Sequence, residues 1–429
     1  MAFERLGTAT APRQLFSTTP AQRVALARQQ FFEEGVRPSG LVGEAVIQSW
    51  LRCTRNHSDR QRIVPFDAVT PSRLHATLAR NRELLEVAQQ ELASMESALS
   101  GTDSRVILTD GEGVVVHVTQ HPAGAHQPVL RKTARVGVNI SERMVGTTAP
   151  GIVATTGQAC TVDGAEHYFD VLSQMQCAAA PIRDVTGRLA GVLDITMEAR
   201  RFGFDAASMV ALYATTIENR LLQAQSRDHL ILRFQASPSL LGTPMEALAG
   251  VAPDGTIAWL NGAGARLIGR LPEEACERDV ESMLGHDLAS LLRLERREAA
   301  QPLRLASGLG VWVQARLKAV DGADFRHAVA MPGQTSAMVT APTPIETAPS
   351  EGGTSQAPEP EALQSETLRE HSRKLIEEAL AAQGGNVSQA ARQLGVSRGT
   401  LYRRLREWRE EDRSAAPTGL FRETAIPRS

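Results

Sequence analysis

The chain has 429 residues, too many for one ordinary hydrophobic core, which implies roughly two to four domains. Its 42% apolar content is enough to build those cores and excludes wholesale disorder. A formal net charge of -2 excludes a polycation that coats nucleic acid, so any nucleic-acid surface has to be local.

The helical pattern comes first in the chain. Over residues 20–100 the apolar positions recur at three- and four-residue spacing, as in Val46, Trp50 and Cys53, between long Arg/Glu/Gln faces. The character then changes. Residues 104–109 and 114–119 are β-rich runs around Asp110-Gly111-Glu112-Gly113, a hairpin signal. Asp184-Val185-Thr186-Gly187 separates two further runs, 177–183 and 189–196. This pattern predicts an antiparallel sheet with flanking helices, an α+β unit. Residues 204–225 read as a helix with Val210, Tyr213, Ile217, Leu221 and Ala224 on one stripe. Packing on its own unit and pairing in a dimer both fit that stripe.

A second mixed unit follows. Asp254-Gly255 precedes an apolar strand at 256–260, Asn261 starts an Ala/Leu-rich helix, and a strand pair at 310–317 and 325–331 is expected to close the unit. Residues 332–362 contain six prolines, three glycines, eight Ser/Thr and no Lys or Arg, a composition that cannot bury enough apolar surface to order itself and is expected to act as a tether. The predicted spans are thus 1–100 for the N-terminal helical region, 101–225 and 238–331 for the two sheet units, 332–362 for the linker, 363–413 for a C-terminal helical unit and 414–429 for the tail.

The C-terminal unit is the most legible. Thr367 and Glu370 form a capping-box pattern, Gly384-Gly385-Asn386 stops the helix they open, and a short second helix carries Val387, Ala390, Ala391 and Leu394. After Gly395-Val396, Ser397 is a natural N-cap for a third helix that would bury Leu401, Leu405 and Trp408. Three helices with a tight turn before the last are a helix-turn-helix. Between Arg398 and Arg409 stand five arginines against one acid, Glu407. A recognition helix reads bases near its N-terminus and holds phosphates with cations along its length. The expected DNA-binding residues are therefore Ser397, Arg398, Thr400, Tyr402, Arg403 and Arg404, with Arg398 placed for a guanine contact. The segment 385–405 (GNVSQAARQLGVSRGTLYRRL) resembles the Fis-type helix-turn-helix almost position by position. The resemblance implies dimeric binding to a roughly two-fold operator in double-stranded DNA.

A second resemblance covers roughly residues 40–225. The segments 137–151 (GVNISERMVGTTAPG), 164–169 (GAEHYF) and 177–184 (CAAAPIRD), with Ser49-Trp50-Leu51-Arg52-Cys53 before them, are similar to the GAF domain of acetoin- and dihydroxyacetone-type (AcoR/DhaR-like) regulators. Asp254-Gly255 and Trp259-Leu260-Asn261 are similar to a PAS domain. The fold class implied is multidomain α+β, with GAF and PAS-like antiparallel-sheet sensor domains and an all-α helix-turn-helix. The family's enhancer-binding activators carry a AAA+ ATPase before the helix-turn-helix, where this chain has its Pro-rich stretch. The only lysines are Lys132, Lys318 and Lys374, none in the Gly-Lys-Ser/Thr that reaches nucleotide phosphates. Autonomous sigma-54 activation is therefore not expected.

His167, Tyr168, Phe169 and Cys177 are the candidate effector-binding residues, close in sequence to the start of a predicted strand. His117, His121 and His126 straddle a Pro/Gly loop with no acid between them, so no metal site is read from them. Ser141 and Glu142 are explained by a helix cap and a first-turn acid. No HExxH, supported catalytic triad or dinucleotide loop is present, so neither enzymatic activity nor a cofactor is expected. Cys53, Cys160, Cys177 and Cys276 lie far apart without a CxxC, against a disulfide framework or a zinc knuckle. No apolar run approaches the roughly 18 residues of a membrane span. The residues thus point to a cytoplasmic one-component regulator, a homodimer that senses a small molecule, binds an operator and has no membrane partner. RNA polymerase or a full-length relative is a further expected partner. Two other readings stand beside it: an adaptor of a full-length sigma-54-dependent activator, and a redox sensor using Cys177.

Overall fold

The computed structural model describes residues 19–57, 59–119, 127–270, 272–276, 278–295, 297, 299–318, 368–384, 386–394, 396, 401, 405 and 408. The chain divides into two units, Met1–Gln225 and Ser226–Ser429.

The first unit opens on α1 (Pro20–Arg28), where Thr19 and Gln22 cap each other reciprocally and proline occupies the first turn. A π-type turn at Gln29–Glu33 sets Phe31 and Phe32 against Trp50, with ring centroids 5.4 and 5.1 Å away. Helix α2 (Glu44–Asn56) buries the expected Val46, Trp50 and Cys53, together with Ile47 and Ser49. Then come α3 (Pro71–Arg80), capped by Thr70, and α4 (Arg82–Leu99), whose inward stripe is Leu84, Ala88, Leu92, Met95 and Leu99.

Strands β1 (Arg105–Asp110) and β2 (Val115–Val118) form the predicted hairpin. Asp110 Oδ1 closes its turn by accepting from the N–H groups of Glu112 at 3.0 Å and Val114 at 2.8 Å. Short helices α5 (Leu130–Thr133) and α6 (Glu142–Val145) precede α7 (Ala149–Thr156), which Thr148 caps. Strands β3 (Cys160–Asp163), β4 (Met175–Arg183) and β5 (Leu189–Glu198) complete an antiparallel sheet in the order β2-β1-β5-β4-β3.

This sheet is buried on both faces. Val106, Leu108, Ala178, Ala180, Leu193 and Ile195 face α4 and the long helix α8 (Ala206–Gln225). The alternate residues Ile107, Cys177, Ala179 and Val192 face α2, α7 and the connecting segments. Of the stripe predicted on α8, Val210, Ile217 and Leu221 lie in the α4 cluster together with Ala214, while Ala224 is not in that cluster. Tyr213 sits at the margin of that cluster, where its hydroxyl meets Ser94 Oγ at 3.2 Å.

In the second unit β6 (His229–Gln235), β7 (Ala247–Val251), β8 (Ile257–Leu260), helices α9 (Gly262–Ile268), α10 (Pro272–Ala275), α11 (Val280–Leu284) and α12 (Leu288–Glu295), and strands β9 (Gln301–Arg304) and β10 (Gly310–Lys318) follow in order. The antiparallel sheet runs β8-β7-β6-β10-β9. The expected partner of β10 at 325–331 lies outside the described residues; β10 is instead paired with β6 on one side and β9 on the other. The central strand β6 precedes the span expected for this unit. It is buried almost throughout, so it lacks the apolar–polar alternation that marks a half-exposed strand.

Asn261 does more than start α9. Its Oδ1 accepts from Gly264 N–H at 2.8 Å and Leu248 N–H at 3.0 Å, and its Nδ2 donates to Glu246 O at 2.9 Å, tying the helix to β7. Gly250 on β7 stands opposite Trp259, and a Cβ there would lie 2.1 Å from the indole Nε1. No residue but glycine fits beneath that ring without movement.

Helix α13 (Leu368–Ala382) ends before Gly384, whose φ of 55° is the left-handed geometry of a helix stop. Helix α14 (Val387–Gln393) is capped by Asn386, whose Oδ1 accepts from Ser388 and Gln389 N–H. Thr367 lies outside the described residues.

Candidate effector cavity and nucleic-acid interface

The three N-terminal segments singled out in the sequence converge. Trp50 is fully buried and donates from Nε1 to Glu166 O at 2.7 Å. Ser49 Oγ donates to Thr147 Oγ1 at 2.8 Å, and Cys53 Sγ meets the same hydroxyl at 3.5 Å. Arg52 places Nε and Nη2 on Glu142 Oε2 and Oε1, both at 2.7 Å, a bidentate pair that raises the guanidinium pKa. Helix α2 is thus stitched to both the 137–151 and the 164–169 segments.

Glu142 corrects the sequence reading. Ser141 makes no side-chain cap on α6, and Glu142 is buried with its carboxylate spent on Arg52 rather than on a helix terminus. A helix of four residues has too short a dipole to hold it, and an arginine on α2 outbids it. Gly146 of the same segment has φ 70°, and a Cβ on it would come within 2.9 Å of the Phe169 ring.

Behind this seam, against the sheet, lies a cavity of about 30 Å³. Ile107, Ile140, Val145, Leu172 and Met175 supply apolar wall; Thr133, Thr148, His167, Cys177, Asp194 and Thr196 complete the lining, although the surface that faces the cavity is almost wholly apolar. The register explains the grouping. Cys177 on β4 stands opposite Thr196 on β5, and Asp194, two residues back, shares that face. His167 Nδ1 donates to Gly164 O at 2.8 Å, because a carbonyl can only accept, so Nε2 is the acceptor turned to Cys177 Sγ at 3.6 Å. Cys177 Sγ also lies 3.2 Å from Thr196 Oγ1.

Two of the four effector candidates, His167 and Cys177, line the cavity. Tyr168 and Phe169 pack into an aromatic cluster with Phe32 and His57, and Tyr168 Oη donates to His57 O at 2.7 Å. The sequence reading does not single out Asp194, although a lone acid in the apolar run LAGVLDITM is a visible signal. It is fully buried, its Oδ1 has no hydrogen-bond partner among the described residues, and burial pushes its carboxyl well above the ordinary range. Burial likewise lowers the His167 pKa to about 4 and drives the Cys177 thiol far up. Burial thus disfavours the Cys177 thiolate, the form on which cysteine reactivity depends. His117 sits on β2, while His121 and His126 lie outside the described residues. Among the described residues no His/Cys/Asp/Glu group could hold a metal ion.

At the other end of the chain, Ile376 and Ala379 of α13 pack with Ala390 and Ala391 of α14 and with Leu394. Leu401, Leu405 and Trp408 belong to the same apolar cluster, and the Arg373 guanidinium lies 5.7 Å from the Trp408 ring centre. The expected DNA contacts Ser397, Arg398, Thr400, Tyr402, Arg403 and Arg404 lie outside the described residues.

Two antiparallel-sheet units with flanking helices and a C-terminal helical segment define a multidomain α+β chain. Comparison with known proteins sharpens this. Residues 367–408 match the bacterial regulatory protein, Fis family, and residues 17–216 match the MimR N-terminal domain. The chain is 31% identical over 228 residues to the acetoin catabolism regulatory protein of Cupriavidus necator, covering 52% of this chain and 34% of that protein. It is 29% identical over 194 residues to the propane 2-monooxygenase operon transcriptional activator MimR of Mycolicibacterium smegmatis, covering 44% and 31%. The chain thus spans about a third of the length of the curated relatives it matches. Among solved structures, the DhaR(N)–DhaL complex of Escherichia coli aligns at 15% identity and a TM-score of 0.40, over 64% of this chain and 99% of that one. This chain therefore carries a stretch that matches the MimR N-terminal domain and a C-terminal stretch that matches the Fis family, and over about half its length it is similar to AcoR- and MimR-type regulators. No helix among the described residues is long and apolar enough to cross a membrane.

Proposed function

We propose that this chain is a cytoplasmic one-component transcriptional regulator. Its N-terminal unit takes a small-molecule effector, and its helix-turn-helix binds a two-fold operator as a dimer through Ser397, Arg398, Thr400, Tyr402, Arg403 and Arg404. The observation that carries the reading is the Fis-family match over 367–408, on a segment whose described apolar residues on α13 and α14 pack together with Leu401, Leu405 and Trp408 and whose Arg398–Arg409 stretch is strongly basic in sequence. With no Gly-Lys-Ser/Thr in the chain, the proposed regulation proceeds without an ATPase of its own and so without autonomous sigma-54 activation. The effector acts by binding one dimer arrangement better than another, since a ligand shifts only what it distinguishes.

Selection of bound duplexes from a random pool at fixed near-physiological salt tests this, because phosphate contacts make affinity steeply salt-dependent. A two-fold site should be enriched by the full chain and lost with Arg398→Ala. No enrichment would overturn autonomous binding and leave an adaptor of a full-length activator as the function.

A further inference from the structure

Helix α2 turns Val46, Ser49, Trp50 and Cys53 inward, and Ile47, Leu51, Thr54 and Arg55 recur at helical spacing along another side of it. Ile47 is fully buried, yet it stands outside the apolar cluster that α2 shares with the sheet. It is the floor of a groove of about 520 Å³ that runs between α2 and the turn following the π-type segment. Gly35, at φ 67°, reverses the chain in that turn, and Val36 N–H closes it on Gln30 O at 2.7 Å. The turn therefore holds Val36 as a wall facing Leu51. These two side chains are 51% and 38% exposed, so the groove is apolar and open to solvent.

A cation stands toward each end of this apolar stretch. Arg37 pairs with Glu44 in the first turn of α2, and Arg55 lies in its last turn. Both side chains of the Arg37–Glu44 pair are more than half exposed, so the pair contributes little and is readily exchanged for another carboxylate. Arg55 has no ion-pair partner among the described residues, and no Asp or Glu among them lines the groove. A basic segment seated here would bring like charges together, whereas carboxylates would meet both guanidiniums. Walls as exposed as Val36 cannot enclose most of a small ligand's surface, which a small-molecule pocket has to do. From Ile47 to Arg55 the helix rises ~12 Å, about two turns of a second helix laid along it.

We propose that this groove docks an acidic amphipathic helix of a partner protein, which seats a large apolar side chain on Ile47 between Val36 and Leu51 and places carboxylates on Arg55 and Arg37. The inference goes beyond the effector and operator readings and rests on neither. Helix-in-groove recognition takes its anchoring from apolar side chains at helical spacing and its selectivity from the charges around them. The ligand is therefore a segment with one or two large apolar residues on one face and Asp or Glu a turn to either side.

A displayed pool of random peptides, passed first over the full-length Leu51→Asp chain and then selected on the wild-type chain, supplies the probe. Enriched peptides should carry large apolar residues at helical spacing flanked by acids. A synthetic copy of one, followed by fluorescence anisotropy, should bind at least tenfold more weakly to Arg55→Glu and within a few-fold to Arg55→Lys. Arg82→Glu, the same charge change at an exposed site on α4, should leave its affinity unchanged. Val36→Asp, in a turn rather than a helix, replaces Leu51→Asp in the selection if that chain melts below wild type. Three results overturn the proposal: no peptide enriched, enriched peptides without acids, or an equal loss from Arg82→Glu and Arg55→Glu. A fourth is a change in sedimentation with Leu51→Asp or Val36→Asp in the absence of peptide, which would make the groove a contact between copies of this chain.

Discussion

On β5 the carboxyls of Asp194 and Glu198 meet different surroundings: Glu198 accepts from the backbone N–H groups of Val129 and Leu130, while Asp194 Oδ1 has no hydrogen-bond partner among the described residues. Asp194 keeps its proton in the fold, while the unfolded chain releases it near the ordinary value of ~3.9. The native state then binds more protons than the unfolded one above that pH, so this residue makes stability fall as pH rises. Asp194→Asn should therefore be more stable than wild type in urea at neutral pH, with the difference vanishing toward about pH 4. His167 works in the other direction. Its ring titrates at about 4 in the fold against an ordinary 6.5, so the unfolded state takes the proton first and stability falls as pH drops from 6.5 to about 4. Replacing it by glutamine should flatten the urea midpoint across that window. Arg52→Ala would leave Glu142 buried and unpaired; with Arg52 itself partly exposed, a loss on the order of 2 kcal/mol is expected in chemical unfolding of the first unit. His167 and Cys177 were legible because a predicted strand start put them close together. Asp194 leaves a signal in its apolar run, but that its register partners Ile107 and Ala179 are apolar follows from strand pairing, which cannot be read from one segment.

Elements show a similar division. The hairpin around Asp110-Gly111 and the turn at Asp184-Gly187 are written in residues that make their own backbone hydrogen bonds, and both strands on each side pair as the sequence predicts. Asn261 announced a helix start for the same reason. Strand β6 was missed because burial on both faces erases the period-two pattern, and its pairing with both β7 and β10 is set by tertiary contacts. The glycine on β7 was equally silent. Gly250→Ala would drive a methyl into Trp259, and overpacking of this kind costs about 1–3 kcal/mol, readable as a lowered melting temperature of the second unit. Adding Trp259→Phe, which removes the indole nitrogen nearest that methyl, should restore part of the loss. If the double variant melts no higher than Gly250→Ala alone, the close approach is not what makes glycine necessary.

For the whole molecule, the proposed division of labour on the recognition helix predicts unlike effects from like residues. Arg398→Ala should weaken operator binding by ~1–3 kcal/mol and relax preference at one base step, whereas Arg404→Ala should weaken all sequences alike and shallow the salt dependence by about one ion. Competition binding with operator and random duplex at several salt concentrations distinguishes them, and equal effects on both duplexes would remove Arg398 from the base-reading role. The order of strands has a consequence of another kind. In the first sheet the central position belongs to β5, the last of its strands to be made, while β1 and β4 on either side leave the ribosome earlier. Until Leu189–Glu198 emerges, the β1–β2 hairpin and the β3–β4 pair each present an unpaired edge with nothing to join them. A nascent chain arrested before Leu189 should therefore remain open to protease, and one arrested well past Gln225, with α8 in hand, should close. Synthesis from the N-terminus thus delays the first unit's folding to a single late event, and the Trp50 and Arg52 contacts of α2 have to wait for residues that are translated long after them.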